Sequence, residues 1–459
     1  MVVTNGKIAT SVGVFKAGLA IDGGKIVAVA KDVNLPRADV RINAQEKIVM
    51  PGVIDAHTHI YIPKLLHENF GTGTKAAAVG GVTTVVEMPS LDEWLTTTVR
   101  NLLRKKRVGE KEAFVDFALY GGEIQEEKDT LQIADLVREG VVGFKITMGG
   151  ETAVKNDGIM IEALRRIAEV GSVATVHAEN HELLDYFKRK IVSEGRKDLA
   201  AHSDSRPNMV EAEAISRAIL YSGAVGNRLH IAHMSTKEGV QLVKQAKSRG
   251  VKVTSETCPH YLLFTRDDYV KYGPQIIMNP PLRSKEDVMS LWWALANGLV
   301  DNIVTDHCAF YRKEKETGWE NISNIPAGIP GLETLVPLML SEGVNKGRIS
   351  LQRLVQLLSE NPAKIFNLYP RKGTIQIGSD ADLVVVDLKK ESIISSDILR
   401  CIADFTPFEG WRIKGWPLIT VVRGTIVARE GEITGSAGFG RFAPSARVEN
   451  LAFEPGDFK

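Results

Sequence analysis

The chain has 459 residues, 44% of them hydrophobic and 25% charged, with a formal net charge of +1 from 57 basic and 56 acidic side chains. That balance belongs to an ordinary globular protein and excludes extensive disorder, while the length predicts one large domain with a smaller companion. With no broad electrostatic field to draw nucleic acid or an anionic membrane, the expected partner is a small molecule.

The opening MVVTNGKIAT lacks the basic start and long apolar core of a signal peptide. No apolar run reaches the ~18 residues needed to span a bilayer, so a cytoplasmic protein without membrane contact is expected. Residues 1–49 read as short strands, VVTNGKIAT, GLAIDGGKIVAVA and ADVRINAQEKIVM, with Asn5-Gly6 and Gly23-Gly24 as hairpin signals. From residue 50 to 370 apolar strands alternate with longer helical stretches, the pattern of a parallel sheet with crossover helices. Eight strands are predicted: VMPGVIDAH, TTVVEMP, AFVDFALYG, VVGFKIT, SVATVHAE, RLHIAHMS, VKVTSETCP and NIVTDHC. Eight is the number that closes a (β/α)₈ TIM barrel. Residues 371–459 return to turn-separated strands, KGTIQIGSDADLVVVDL and LITVVRGTIVAREGEI. The α/β fold expected is therefore a TIM barrel beside a small β-sandwich built from both chain ends. The tail from Gly435, with Phe439, Phe442 and Phe453, either packs on a neighbouring subunit or hangs free. Cys258, Cys308 and Cys401 are far apart and odd in number, which argues against a disulfide framework.

The chemistry gathers at strand ends. In Asp55-Ala-His57-Thr-His59 the period of two aims both imidazoles to one side, where a metal ion could share them. Lys145 in GFKIT, His177 in TVHAEN, His233 in IAHMS and Asp306 in VTDHC end other strands, and a barrel brings all of these to its C-terminal mouth. Singly, an inward His or Lys reads as a satisfied polar residue; together, at five of the strand ends, they read as a metal site. Of the remaining histidines, His67, His181, His202 and His230 read as structural, and His260 and His307 as supporting groups, with His307 able to bond substrate or orient Asp306. Lys145 is the odd member, since an ammonium cannot ligate a cation. Either carbon dioxide converts it to a carbamate, a carboxylate-like bridge between two ions, or it pairs with Asp306 or an oxyanion beside a single ion.

At these residues the chain resembles the cyclic amidohydrolases of the amidohydrolase superfamily: hydantoinases, dihydropyrimidinases, allantoinases and dihydroorotases. PGVIDAHTH, GFK, HAEN, HMS, ETCPHYL, NPPLR, TDH, IPGLE, NPAKIF and GSDADLVVVD follow in the family's order, nearly end to end. The resemblance implies an enzyme acting on non-peptide C–N bonds of cyclic amides. It implies two zinc ions, or other divalent metals, with His57 and His59 on one, His177 and His233 on the other, carboxylated Lys145 bridging, and Asp306 completing the first shell. A hydroxide between the ions would attack the ring amide while Asp306 shuttles the proton. Asn279 and the stretch Gly328 to Pro330 would hold the ring, and a homo-oligomer, tetramer or dimer, is implied.

The variable positions narrow the substrate. HTHIYIP has no Arg after the His pair to hold a substrate carboxylate, which speaks against a dihydroorotase. KITMGG lacks the Tyr that D-selective hydantoinases and dihydropyrimidinases carry after the lysine. VDFALYGG and VGFK look closest to L-selective or non-selective hydantoinases, with an allantoinase as the alternative. A scaffold of the same fold that has lost its ligands disagrees with a chain that keeps all six.

Overall fold

The computed structural model describes residues 1–446 apart from 64, 66, 90 and 318–324. Residues 447–459, which include Phe453 of the expected tail, lie outside the described residues.

Eight barrel strands follow in chain order: Val53–Thr58, Val82–Glu87, Asp116–Leu119, Phe144–Thr147, Val173–His177, Arg228–Ile231, Val253–Thr257 and Asn302–Ile303. The first three pair in parallel as one sheet and the last five as another. Main-chain and side-chain bonds join the two sheets along both seams. At one, the Gly121 amide donates to the Gly143 carbonyl at 3.0 Å and the Lys145 amide to the Gly121 carbonyl at 2.9 Å. At the other, the Asp55 carboxylate accepts the Thr305 amide at 3.1 Å and hydroxyl at 2.5 Å. The result is the expected (β/α)₈ barrel, with all eight strands where the apolar runs place them.

Crossover helices lie between the strands, and their ends follow from local chemistry. Thr98, Asn156, Thr236 and Ser284 each accept a main-chain N–H from the first turn they precede, so orphan amides find partners. Gly81, at φ 88°, ends the helix Phe70–Gly80 in the left-handed conformation that a side chain would resist. Among the described residues no helix is long and apolar enough to cross a membrane.

Strands from both chain ends form two further sheets. Strands Val2–Thr4, Gly18–Asp22, Lys25–Ala30 and Arg41–Asn43 make one; Lys7–Ala9, Val14–Lys16 and Ile48–Pro51 join Leu383–Ile393, Arg412–Val422, Thr425–Arg429 and Glu432–Ile433 in the other. Between them Val3, Leu19, Ile26 and Ile42 meet Ile8, Val49, Leu383 and Val421 in a core of their own, as a β-sandwich requires. Gly23-Gly24 is a two-residue hairpin turn, both glycines at positive φ, pairing Asp22 with Lys25. Asn5-Gly6 is not the expected hairpin. Val2–Thr4 and Lys7–Ala9 belong to different sheets, and the turn carries the chain across the sandwich. Gly6 is required there because a Cβ would lie 2.9 Å from that of Ala44.

A buried ionic cluster fastens barrel to sandwich. Lys372 lies 2.7 Å from Asp116 of the third barrel strand, 2.6 Å from Asp382 and 3.3 Å from Asp380, and Arg423 reaches Asp116 at 3.1 Å. These three carboxylates are close enough to hold an ion, but the two cations already occupy the space between them. Removing Lys372 leaves buried charge uncompensated, so Lys372→Met should cost about 3–5 kcal/mol; urea unfolding with an unchanged midpoint would refute this.

Up to residue 446 the tail does not hang free. The Gly440 amide donates to Ala113 at 2.8 Å, the Arg441 carbonyl accepts from Phe117 at 3.0 Å, and the Phe442 ring packs 5.9 Å from that of Phe117. It closes on its own barrel.

Candidate metal centre

The mouth of the barrel opens as a cavity of about 630 Å³, lined among others by His57, His59, Lys145, His177, His233 and Asp306. All six residues expected as ligands share this one space. The tightest set is His57, His233 and Asp306, whose ligand atoms all lie within 4.8 Å of one another. It draws from both of the expected ligand groups. Asp306 Oδ1 is 3.3 Å from His57 Nε2 and 3.4 Å from His59 Nε2, while the His177 and His233 ring centres are 4.6 Å apart.

Two backbones are bent to make this arrangement. His233 at φ 34° and Asp306 at φ 49° occupy the left-handed region, sparsely populated by residues other than glycine and costing roughly 1–3 kcal/mol. Both lie just past the ends of their strands, where the chain must turn to aim a side chain inward.

The electrostatics suit a cation. Burial pushes the His57 and His233 imidazoles below their ordinary pKa, and the Lys145 ammonium adds to the effect. Burial alone would raise the Asp306 carboxyl, but the imidazoles of His57, His59 and His260 outweigh it and hold the group at about 2. At neutral pH the site therefore offers the His57 and His233 imidazoles neutral and the Asp306 carboxylate ionised, the forms that bind metal. His57 Nε2 and His233 Nδ1 are buried and have no hydrogen-bond partner among the described residues. Such orphaned atoms are costly unless something else meets them, so the residues present fit a divalent ion.

Groups around the cluster set its aim. His57 Nδ1 lies 2.5 Å from a Glu256 oxygen, whose other oxygen lies 2.9 Å from His230 Nε2, with His230 Nδ1 at 2.8 Å from the Thr254 hydroxyl. This chain holds the His57 ring with Nε2 toward the cavity. Burial would raise the Glu256 carboxyl, but His57 and His230 outweigh it and hold it below the ordinary carboxylate range. Glu256→Gln should weaken metal affinity by about 10–100-fold; unchanged competition against a chelator would remove the role. Glu87, fully buried at the end of the second strand, accepts the Ile60 and Tyr61 amides at 2.9 Å each and the Lys105 ammonium at 3.2 Å, which shapes the loop after His59. His177 Nε2 is taken by Glu179 at 2.8 Å, itself bound to Arg206 at 2.6 Å, so an ion at His177 would be met by Nδ1.

The amidohydrolase family profile matches residues 48–427. The chain belongs to the amidohydrolase family. Among relatives of this amidohydrolase, the L-hydantoinase of Paenarthrobacter aurescens is 40% identical over 455 residues, 98% of this chain and 99% of that one. The allantoinase of Rubrobacter xylanophilus is 36% identical over 436 residues, 94% of each chain. The solved structure of the L-hydantoinase (dihydropyrimidinase) from Arthrobacter aurescens has a TM-score of 0.92 and 40% identity, covering 96% of this chain and 99% of that one. The chain is a cyclic amidohydrolase.

The remaining residues expected to hold substrate divide. Asn279 and Gly328 line the cavity of the amidohydrolase, and Asn279 Oδ1 is buried without a partner among the described residues. Pro330 is buried but outside the lining. His307 is not among the residues that line the cavity. Its ring is fully buried, with Nε2 2.7 Å from Glu68 and Nδ1 accepting the Gly331 amide at 3.0 Å, so it braces the loop behind the mouth while its neighbour Asp306 turns inward. Glu123 was not anticipated: it lines the cavity, 7% exposed, with Oε1 unpartnered among the described residues.

Proposed function

We propose that this enzyme opens the ring of 5-substituted hydantoins at a two-zinc centre held by His57, His59, His177, His233, Asp306 and a carboxylated Lys145. The substrate reading is carried by one observation. Among the residues that line the cavity, Ile62, Met88, Leu91 and Ile325 are apolar, and Ile62 and Leu91 pack with Cys308 and Phe310. An apolar substituent on the ring gains free energy by leaving water there. Similarity to an L-hydantoinase over nearly the whole chain supports the same reading.

Bound divalent ions would supply Lewis acidity, polarising the amide carbonyl and lowering the pKa of water from 15.7 toward about 7. The protein's residues do the rest. Asp306, ionised at neutral pH, accepts the proton of the attacking water on a carboxylate oxygen and returns it to the ring nitrogen as the C–N bond breaks. The Asn279 side chain and the main chain at Gly328 hold the ring against the ligand cluster.

A second reading, allantoin, is favoured by Glu123. Its unpartnered buried oxygen in the cavity wall would accept N–H bonds from a ureido substituent, where an apolar one would leave it unsatisfied. The test is a ring-opening assay of zinc-loaded protein against both hands of 5-alkyl and 5-aryl hydantoins, allantoin, dihydrouracil and dihydroorotate. The hydantoins should lead in kcat/KM by at least about tenfold, the order of one well-matched apolar group. Allantoin or dihydroorotate in the lead overturns the substrate and keeps the chemistry.

A further inference from the structure

Lys315 lies in the short helix Arg312–Glu316, and its side chain is fully buried. Among the described residues it has no ion-pair partner. Its ammonium instead donates to three main-chain carbonyls: Ile277 at 2.8 Å, Pro326 at 2.6 Å and Gly328 at 2.8 Å. An ammonium has three N–H groups, and all three are used. Such a charge is expensive to bury without a counter-ion, and burial pushes this lysine down to about 7. A methionine of similar length would fill the space without that cost.

The three carbonyls come from two segments that both reach the cavity. Ile277 immediately precedes Met278 and Asn279; Pro326, Ala327 and Gly328 form another part of the lining. The segments also touch directly, since the Gly328 amide donates to the Ile277 carbonyl at 3.0 Å, and a Cβ on Gly328 would lie 2.7 Å from that of Cys308. The His202 ring bonds the Met278 carbonyl from the other side at 3.0 Å. Without Lys315, the Pro326 and Gly328 carbonyls lose the donor that ties them to Ile277.

We propose that Lys315 is a positioning residue, a hydrogen-bonding clamp that holds residues 277–279 against 326–328 so that Asn279 and the Gly328 main chain meet the substrate ring in register. The inference rests on the reading of these two segments as the ring-holding wall. The clamp touches no residue of the metal cluster, so its loss weakens ground-state and transition-state binding together and leaves the chemical step intact. That combination raises KM without lowering kcat.

The test is steady-state kinetics of zinc-loaded Lys315→Met on the best hydantoin found for the wild type, with metal content measured on the same preparation. We expect KM to rise at least tenfold with kcat within threefold and metal content unchanged. Lys315→Gln, which keeps two donors, should show a smaller rise, and it carries the measurement if the methionine variant does not fold. Unchanged KM, or a fall in kcat alone, overturns the clamp. A wild type that opens none of the rings overturns the substrate reading instead. The clamp is then judged by hydrogen exchange: amides of 278–279 and 327–329 should exchange at least tenfold faster in the variant, and unchanged exchange there refutes it.

Discussion

Asp306→Asn is expected to lower kcat by about 10²–10⁴-fold, the range over which a positioned general base contributes. The carboxamide keeps the size of the side chain and one oxygen toward His57 and His59, but it cannot take up a proton near neutral pH. The native carboxyl, held at about 2, is ionised throughout the working range and ready to accept one. Because Asp306 is also a candidate ligand, metal content must be measured on the same sample and the assay run with metal in excess. A fully loaded variant with more than a tenth of native turnover would end the proton-transfer role. A poorly loaded variant whose turnover returns with added metal would reduce Asp306 to a ligand.

Replacing Lys145 with Ala should reduce bound metal from two ions per chain to one or none, and should lower turnover by at least about 10²-fold, the scale of losing a group that stabilises developing charge. Lys145 is 4% exposed and stands in the cavity wall among four imidazoles. Left as an ammonium, it depresses His57 and His233 by its charge and would repel a cation in the same way. Conversion to a carbamate reverses that sign. Reconstitution of the wild type should accordingly need bicarbonate, with fewer ions bound in carbon dioxide-free buffer. Two ions per chain in Lys145→Ala would rule out the bridge.

The candidate ligands were legible because each lies at or just past the end of a recognisable apolar strand, and a barrel maps strand ends onto a single mouth. His57, His59, Lys145, His177, His233 and Asp306 needed no knowledge of which strands are neighbours. The groups that aim them did need it. Glu256 lies within VKVTSETCP, where only the presence of an acid in a barrel strand signals that some partner must exist; that the partners are His57 and His230 depends on the first and sixth strands lying near the seventh. Glu87 and Asp55 were hidden for the same reason. Between Asp306 and His307, adjacent in a loop, periodicity is silent, and the positive φ at Asp306 decides which one turns inward. Asn5-Gly6 misled because a dipeptide that permits a tight turn does not say whether the following strand pairs with the preceding one. Phe442, with no period to mark it, revealed nothing of the barrel strand it covers at Phe117.

The sandwich sets the order of assembly apart from the order of synthesis. Ile48–Pro51 is paired with the segment beginning at Leu383, so early strands await partners that emerge more than 300 residues later. At ~5–20 residues per second on the ribosome, that wait lasts roughly 15–65 seconds. During it the barrel strands can leave the exit tunnel and begin to close, while Ile48–Pro51 still exposes an unsatisfied edge beside them. A stall in translation before residue 383 would leave that one edge of the sandwich uncovered, open to pairing with another chain.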